Sequence, residues 1–471
     1  MQITGKTLIE WGFQPGRWFP NAIEAANRMR QEGVGDDAIF VKIQEFVPAE
    51  LSMRTNNIPY GVFLDAETQA ERDNLAGVNA HMDALMRVPT ILAGSVMPDA
   101  CPSGSQAGTI PVGGVVATKN AIHPGFHSAD ICCSMAVSLF KREDDPKRLL
   151  DAVQAVTHFG PVTPQSPRKT DVAVPAYWAE ADENPFLKGL GDFAKFHFAT
   201  QGDGNHFAYV GKLASTGQLA LVTHHGSRGL GAQLYKRGIA AAKRHTAIKA
   251  PKVPGHNAWI EADSDEGRAY WSALQFVRQW TRDSHYAIHD MASQKLGNAV
   301  SDRFWNEHNF VFRKTDGLYY HGKGATPSWK GFSPDDVGYT LIPLNMSQPI
   351  LVTSHRDNKG SLGFAPHGAG RNASRTQHMR EGGDALKTEL AELQAGGLDV
   401  RSYCGVPDHS ELPSAYKNAK AVRSQIEKYD LAKVEDQILP YGSIMAGDWE
   451  KDAPWKVARQ AKLLARKAIP A

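Results

Sequence analysis

Five side chains with the donor types of a transition-metal site stand in short polar or glycine-containing segments between Asp130 and His308. Asp130 and Cys133 lie in Ser-Ala-Asp-Ile-Cys-Cys, His206 in Gly-Asn-His-Phe, His224 with His225 before Gly-Ser-Arg-Gly, and His308 in Glu-His-Asn-Phe. Borderline divalent ions such as Mn²⁺ or Zn²⁺ accept mixed O, S and N donors. A thiolate with a carboxylate can hold two such ions together, as in two-metal phosphoryl chemistry. Each residue alone also has an ordinary reading: a histidine near an apolar run is a hydrogen-bonded core residue, and Cys132 or Cys133 a small buried hydrophobe. Cys101, Cys132, Cys133 and Cys404 are too few for a disulfide scaffold, and adjacent Cys132 and Cys133 are poor partners for each other. The thiols are therefore read as reactive or metal-binding.

Three glycine clusters accompany these residues: Gly202-Asp203-Gly204-Asn205-His206, Gly226-Ser227-Arg228-Gly229-Leu230-Gly231 and Gly368-Ala369-Gly370-Arg371. Glycine permits positive φ and lets main-chain N–H groups approach an anion, so loops of this kind beside His or Arg can cradle phosphates. Any one of them alone reads as a tight turn. The sequence lacks the signature of a P-loop NTPase, because no Gly-x4-Gly-Lys-Ser/Thr run occurs and Lys323 is followed by Gly324. Lys314-Thr315-Asp316-Gly317 matches the Lys-x-Asp-Gly of ligases that use a covalent lysine. Phe310–Arg313 and Leu318–His321 flank that Asp-Gly as strands flank a turn, and a β-hairpin is the expectation.

The elements that must position these residues are short strands and at least one long helix. Strand-like runs occur at Val115–Thr118, Met135–Phe140, Leu219–Val222 and Ile350–Thr353. From Glu266 to Val300 the spacing of Tyr270, Ala273, Leu274 and Val277 is helical. The 471 residues, 42% hydrophobic and 22% charged, have the balance of a globular protein with a sizeable core. With 52 Lys plus Arg against 50 Asp plus Glu, the net charge of +2 excludes a polybasic nucleic-acid-coating protein but not a local basic groove.

Lys236, Arg237, Lys243, Arg244, Lys249 and Lys252 form a stretch free of Asp and Glu, read either as a phosphate-tracking surface or as a solvated helix face. The basic tail, with Lys456, Arg459, Lys462, Arg466 and Lys467, reads as an amphipathic helix docked on its own protein. The Pro-rich stretch Gly160–Pro175 reads as an exposed loop. Met1–Pro20 lacks the apolar run of a secretory signal and no stretch reaches 18 apolar residues, so a cytoplasmic protein without a membrane partner is expected.

Met97-Pro98-Asp99-Ala100, Val112-Gly113-Gly114-Val115 and Ala129-Asp130-Ile131-Cys132-Cys133 together resemble the opening signature of the RtcB family of RNA ligases. The resemblance continues in order through Gly204-Asn205-His206-Phe207, His224 with Gly226–Gly231, His308-Asn309-Phe310, Lys323-Gly324-Ala325-Thr326, His367–Arg371 with Ser374-Arg375, Glu411-Leu412-Pro413 and Ala415-Tyr416-Lys417. It spans about Met97 to Lys417, and chance agreement of so many ordered motifs is very unlikely.

The resemblance implies an α+β fold, a single catalytic body with mixed β-sheets around a dinuclear metal site and flanking helices. It implies an N-terminal extension over residues 1–90 packed on a catalytic domain over 91–450, with the basic tail over 451–471. It further implies that Asp130, Cys133, His206, His224 and His308 hold two Mn²⁺ ions, with Cys133 bridging. By the same resemblance His367 is the nucleophile toward the α-phosphorus of GTP, within a nucleotide site of Asp99, Asn205, Gly368, Ala369, Gly370 and Arg371. The implied substrates are RNA 3′-phosphate or 2′,3′-cyclic phosphate ends and 5′-hydroxyl ends, with an activator protein as a further partner.

The chain departs from the family pattern at three places. Cys101 replaces the His of Met-Pro-Asp-x-His, Tyr209 stands where Gly-Asn-His-Phe is usually followed by Glu, and Pro440–Gly447 replaces the usual Lys-Gly near the C-terminus. These departures bear on guanine contacts and substrate choice rather than on metal binding. The rival readings are a metal-dependent phosphoesterase with the same metal centre, and a non-catalytic RNA-end-binding paralogue; intact His367 argues against both.

Overall fold

Strand Ser134–Phe140 is almost continuously buried because it runs inside an antiparallel sheet, between strands Leu219–His225 and Val300–Glu307. The structure, a computed structural model, describes residues 2–16, 18–47, 50–160, 162 and 171–448. The basic tail over 451–471 and most of the Pro-rich stretch between Gly160 and Pro175 lie outside the described residues.

The larger sheet has eight strands. Its order is Tyr339–Ile342, Ile350–His355, Ala432–Met445, Phe207–Leu213, Leu219–His225, Ser134–Phe140 and Val300–Glu307, with Asp399–Ser402 added parallel to the end of the long strand Ala432–Met445. That long strand carries Pro440, which cannot donate to a ladder, and the register shifts between Pro440 and Gly442. Beyond the shift, Ser443 faces Tyr209 and Met445 faces Phe207 across the ladder.

A five-stranded sheet stands beside it, in the order Gly61–Val62, Ile91–Cys101, Val112–Thr118, Tyr319–Lys323 and Asn309–Arg313. Its last two strands form the hairpin expected around Asp316-Gly317, paired from Asn309 with Lys323 to Arg313 with Tyr319. Gly317 supplies the positive φ of the turn, and the Asp316 carboxylate accepts from Leu318 N at 2.9 Å. Lys314 is spent on structure: its Nζ donates to Leu362 O at 2.7 Å and sits 4.0 Å from the Trp329 ring centre. A single residue, His308, joins the two sheets, because the large sheet ends at Glu307 and the hairpin begins at Asn309.

Helix Asp265–Leu296 realises the apolar periodicity read between Glu266 and Val300. Ser264 caps its start by accepting from Gly267 N, and Gly297 ends it in the left-handed conformation at φ 70°. Tyr270, Ala273, Leu274, Val277 and Trp280 on its buried face belong to the main core. Burial of each large side chain there contributes about 1.5–3 kcal/mol.

Residues before the first long strand do two things. Helices Gly5–Glu10, Phe19–Gln31 and Asp36–Gln44 close around their own core of Leu8, Phe19, Ala22, Ile39 and Ile43. Gly61–Val62 then pairs in parallel with Ser95–Val96, and helix Gln69–Leu85 buries Val78, Met82 and Leu85 in a cluster shared with Ile91 and Val96. Among the described residues, no helix is long and apolar enough to cross a membrane.

Candidate active site

Four of the five predicted donors sit at one end of four neighbouring strands. His206 immediately precedes Phe207–Leu213, His224 is the penultimate residue of Leu219–His225, Cys133 immediately precedes Ser134–Phe140, and His308 immediately follows Val300–Glu307. Because the strands alternate in direction, starts and ends meet on the same edge. His308 N donates to Cys133 O at 2.9 Å and extends the ladder by one step.

The side chains converge. Cys133 Sγ lies 3.2 Å from His224 Nε2 and 3.5 Å from His206 Nε2, and His224 Nε2 lies 3.2 Å from His308 Nε2. Asp130 Oδ2 is 3.1 Å from His206 Nε2. The donors form two overlapping groups, Cys133 with His224 and His308, and Asp130 with Cys133 and His206, each within 4.8 Å. Cys133 belongs to both. Cys132 turns the other way, at φ 57°, and joins the apolar core.

Electrostatics at this edge suits divalent cations. His224 Nδ1 donates to Asn205 O at 3.1 Å, which fixes the tautomer and leaves a lone pair on Nε2. Burial pushes His224 down to about 3 and His308 well below the usual histidine value, so both rings stay neutral. Burial, then the Asp130 carboxylate, pushes the Cys133 thiol well up. Burial would raise Asp130 too, but His206 and Arg228 outweigh it and hold the carboxyl well below its usual range. His308 Nδ1 is buried without a hydrogen-bond partner. Neutral imidazoles, a carboxylate and a shared sulfur make a donor set that fits two borderline divalent ions.

Glycine at 226 is required by this packing, since a Cβ there would stand 2.1 Å from Asp130 Oδ1. Arg228 follows at the start of helix Arg228–Lys249, and its Nη1 donates to His206 Nδ1 at 3.2 Å.

His367 completes the edge. Its ring centre is 4.9 Å from that of His308, and its Nδ1 donates to Asp99 Oδ2 at 2.5 Å. The same carboxylate oxygen accepts from His367 N at 3.0 Å. The Nδ1 contact orients the ring with Nε2 as its other nitrogen, the atom that attacks when the imidazole is neutral. Asp99 is fully buried and acts on His367 rather than facing the cavity. Gly370, at φ 71°, lets the loop pass Asp99, because a Cβ would fall 1.9 Å from Asp99 O.

A cavity of about 480 Å³ opens over this edge, and its lining, which includes His367, falls by chemistry into a charged group and a mostly apolar group, here the polar and apolar arms. Asn205, Gly368, Ala369, Gly370 and Arg371 line it with His367. The polar arm holds Lys323, Arg371, Arg375 and Glu411. Buried Glu411 binds Arg371 at 2.7 Å and Arg375 at 2.6 Å and accepts from the Tyr416 hydroxyl. Lys323 Nζ donates to Ser103 Oγ and Ile110 O, and burial lowers its pKa to about 8. The second arm is mostly apolar, with Phe207, Tyr209, Leu344, Met346, Ile350 and Met445.

The basic stretch after Gly231 is largely consumed by structure. Arg237 donates to Phe186 O and Lys188 O, Arg244 pairs with Glu266, Lys249 with Glu261 and Lys252 with Glu50. The sequence assigns no role to Arg375, Glu411 or Tyr416, and it marks Tyr209 and Pro440–Gly447 as departures bearing on guanine contacts without showing that Tyr209 and Ser443 pair. The ordered motifs that contain Arg375, Glu411 and Tyr416 are the available signal for the Glu411 network.

A family model described as tRNA-splicing ligase RtcB matches residues 82–446, well over half of the chain. The tRNA-splicing ligase RtcB of Aeropyrum pernix is 27% identical, covering 74% of this chain and 86% of its own length. The Thermococcus kodakarensis protein of that name has the same identity and coverage. The RNA-splicing ligase RtcB of Escherichia coli is 24% identical over 66% of this chain and 81% of its own.

Proposed function

The chain belongs to the RtcB family of RNA ligases, and from that premise we propose that it joins RNA 3′-phosphate or 2′,3′-cyclic phosphate ends to 5′-hydroxyl ends. The nucleotide is GTP, the metal is Mn²⁺, and the nucleophile is His367. The observation that carries this reading is the Asp99–His367 pair beside His308, which sets an oriented imidazole against a metal-donor cluster.

His367 Nε2 bonds to the α-phosphorus of GTP, the bond to the β-bridging oxygen breaks, and pyrophosphate leaves. Asp99 holds the Nδ1 proton and stabilises the charge that develops on the ring. A 2′,3′-cyclic end is first opened by water to the 3′-phosphate; GMP then passes from His367 to the RNA 3′-phosphate, and the 5′-hydroxyl, losing its proton to solvent, displaces GMP from the activated end, forming the phosphodiester. Asp130, Cys133, His206, His224 and His308 would hold two Mn²⁺ ions, which supply Lewis-acid stabilisation of phosphoryl oxygens when bound. Arg371, Arg375 and Lys323 give the polar arm the cations that suit a phosphate-bearing end.

The test incubates the protein with Mn²⁺ and α-labelled GTP, then adds RNA with 3′-phosphate and 5′-hydroxyl ends. Labelled protein followed by joined RNA is the expected result. End trimming without label would point to a phosphoesterase, and RNA binding alone to a non-catalytic paralogue.

A further inference from the structure

The apolar arm of the cavity is set by strand register. Phe207 pairs with Met445 and with His224, and Tyr209 pairs with Ser443, so these side chains share one face of the large sheet and run away from the metal donors. The loop after Tyr339–Ile342 contributes Leu344, Asn345 and Met346 to the lining of the same cavity. That loop adjoins the nucleophile's loop, because a Cβ on Gly368 would meet Pro343 O at 3.0 Å. Apolar lining in the same cavity as His367 suits a nucleobase, while the cationic residues suit phosphates.

Guanine presents a donor edge, its ring N–H and exocyclic amine, and a site that selects it needs an acceptor such as a carboxylate. Among the described residues lining the cavity, the carboxylates are Asp130, in the donor cluster, and Glu411, consumed by Arg371, Arg375 and Tyr416. The Tyr209 hydroxyl is spent on Ile438 O at 2.9 Å. Asn345 Oδ1 accepts from Ser347 N and interacts with Ser347 Oγ, so its unspent group is the amide donor. Ser443 Oγ, on a residue 2% exposed, is buried without a hydrogen-bond partner. A hydroxyl that donates or accepts, with an amide donor in the same cavity lining, answers adenine's amine and ring nitrogen at least as well as guanine's edge.

Resting on the nucleotidyl-transfer reading of His367, we infer that the apolar arm accepts adenine as readily as guanine, so ATP serves beside GTP as nucleotide donor. With ATP the same bonds change: His367 Nε2 joins the α-phosphorus and pyrophosphate leaves, giving the AMP adduct.

Calorimetric titration of the full chain with ATP and with GTP in Mn²⁺ tests this, alongside labelling with each α-labelled nucleotide. ATP binding within about tenfold of GTP, about 1.4 kcal/mol, supports the inference. A larger preference for GTP, or binding of neither, overturns it. Ser443→Asp brings a carboxylate to the arm and should move the ratio toward GTP by about tenfold or more. An unchanged ratio in a folded Ser443→Asp protein overturns Ser443 as a base contact; if that variant does not fold, the wild-type ratio still decides the inference. A protein that binds both nucleotides alike but takes label from neither breaks the nucleotidyl-transfer reading and with it the donor role of ATP, while the base tolerance of the arm stands. One that takes label only from GTP breaks this inference alone.

Discussion

At the metal end of the cavity, four donors are tied to the ends of four adjacent strands, so backbone register brings them together. At the apolar end the register is equally firm, but it fixes only which positions face the cavity; on the inference drawn above, the side chains at Tyr209, Ser443 and Met445 decide which base binds. The first end carries every donor that the family resemblance implies, and the second carries two of the departures from it. Reaction chemistry tolerates little change where several donors share one sulfur. Base selection can change through a single residue on a wall.

Breaking the metal end should therefore cost most. His367→Ala should remove RNA joining by at least about 10³-fold, while Lys314→Ala, a change in a hairpin lysine away from the cavity, leaves it near wild type. The joining rate under single-turnover conditions measures both, and the reverse pattern would contradict the histidine mechanism. Cys133→Ala removes the one donor common to both groups, and metal analysis after dialysis should find affinity for both ions reduced by more than about 100-fold. Loss of one ion alone would mean that the sulfur is not shared.

Asp99→Asn separates holding from reacting. The amide would offer an N–H where Nδ1 now donates, favouring the wrong tautomer, so turnover should fall by about 10²–10⁴-fold with nucleotide affinity nearly unchanged. A change in nucleotide affinity alone would assign Asp99 to nucleotide binding.

Folding contributes its own pH dependence, smaller and separate from both ends. Burial pushes His123 and His289 down to about 3 and His127 down to about 4. Below about pH 6.5 the unfolded chain takes up protons that these buried rings refuse, so stability falls as pH drops toward 4. Each ring contributes at most about 1.4 kcal/mol per pH unit, and none above pH 7. Denaturant titrations at pH 7.5 and 5 should differ accordingly, and equal midpoints would contradict neutral buried rings.

Much of this was legible in the sequence where the signal was local. The strand runs, the long helix from Asp265, and the hairpin at Asp316-Gly317 follow from periodicity and turn chemistry. Ordered motifs pointed to the donors because the family pattern bridges their separation along the chain. The partners of the basic stretch were hidden, since Glu50, Glu261 and Glu266 come from outside it. Asp99 was expected near the nucleotide, and its hold on His367, 268 residues away, needed the fold to be seen. The pairing of Tyr209 with Ser443 has no local signal either, because it depends on where the long strand shifts register at Pro440.

The central claim is that His367 is the nucleophile beside the donor cluster. Protein treated with Mn²⁺ and GTP, digested without acid and mapped by mass spectrometry, tests it directly. The account predicts a GMP adduct on the peptide that contains His367, absent when Mn²⁺ is removed with a chelator. An adduct on the peptide containing Lys314, or on any other residue, would contradict it.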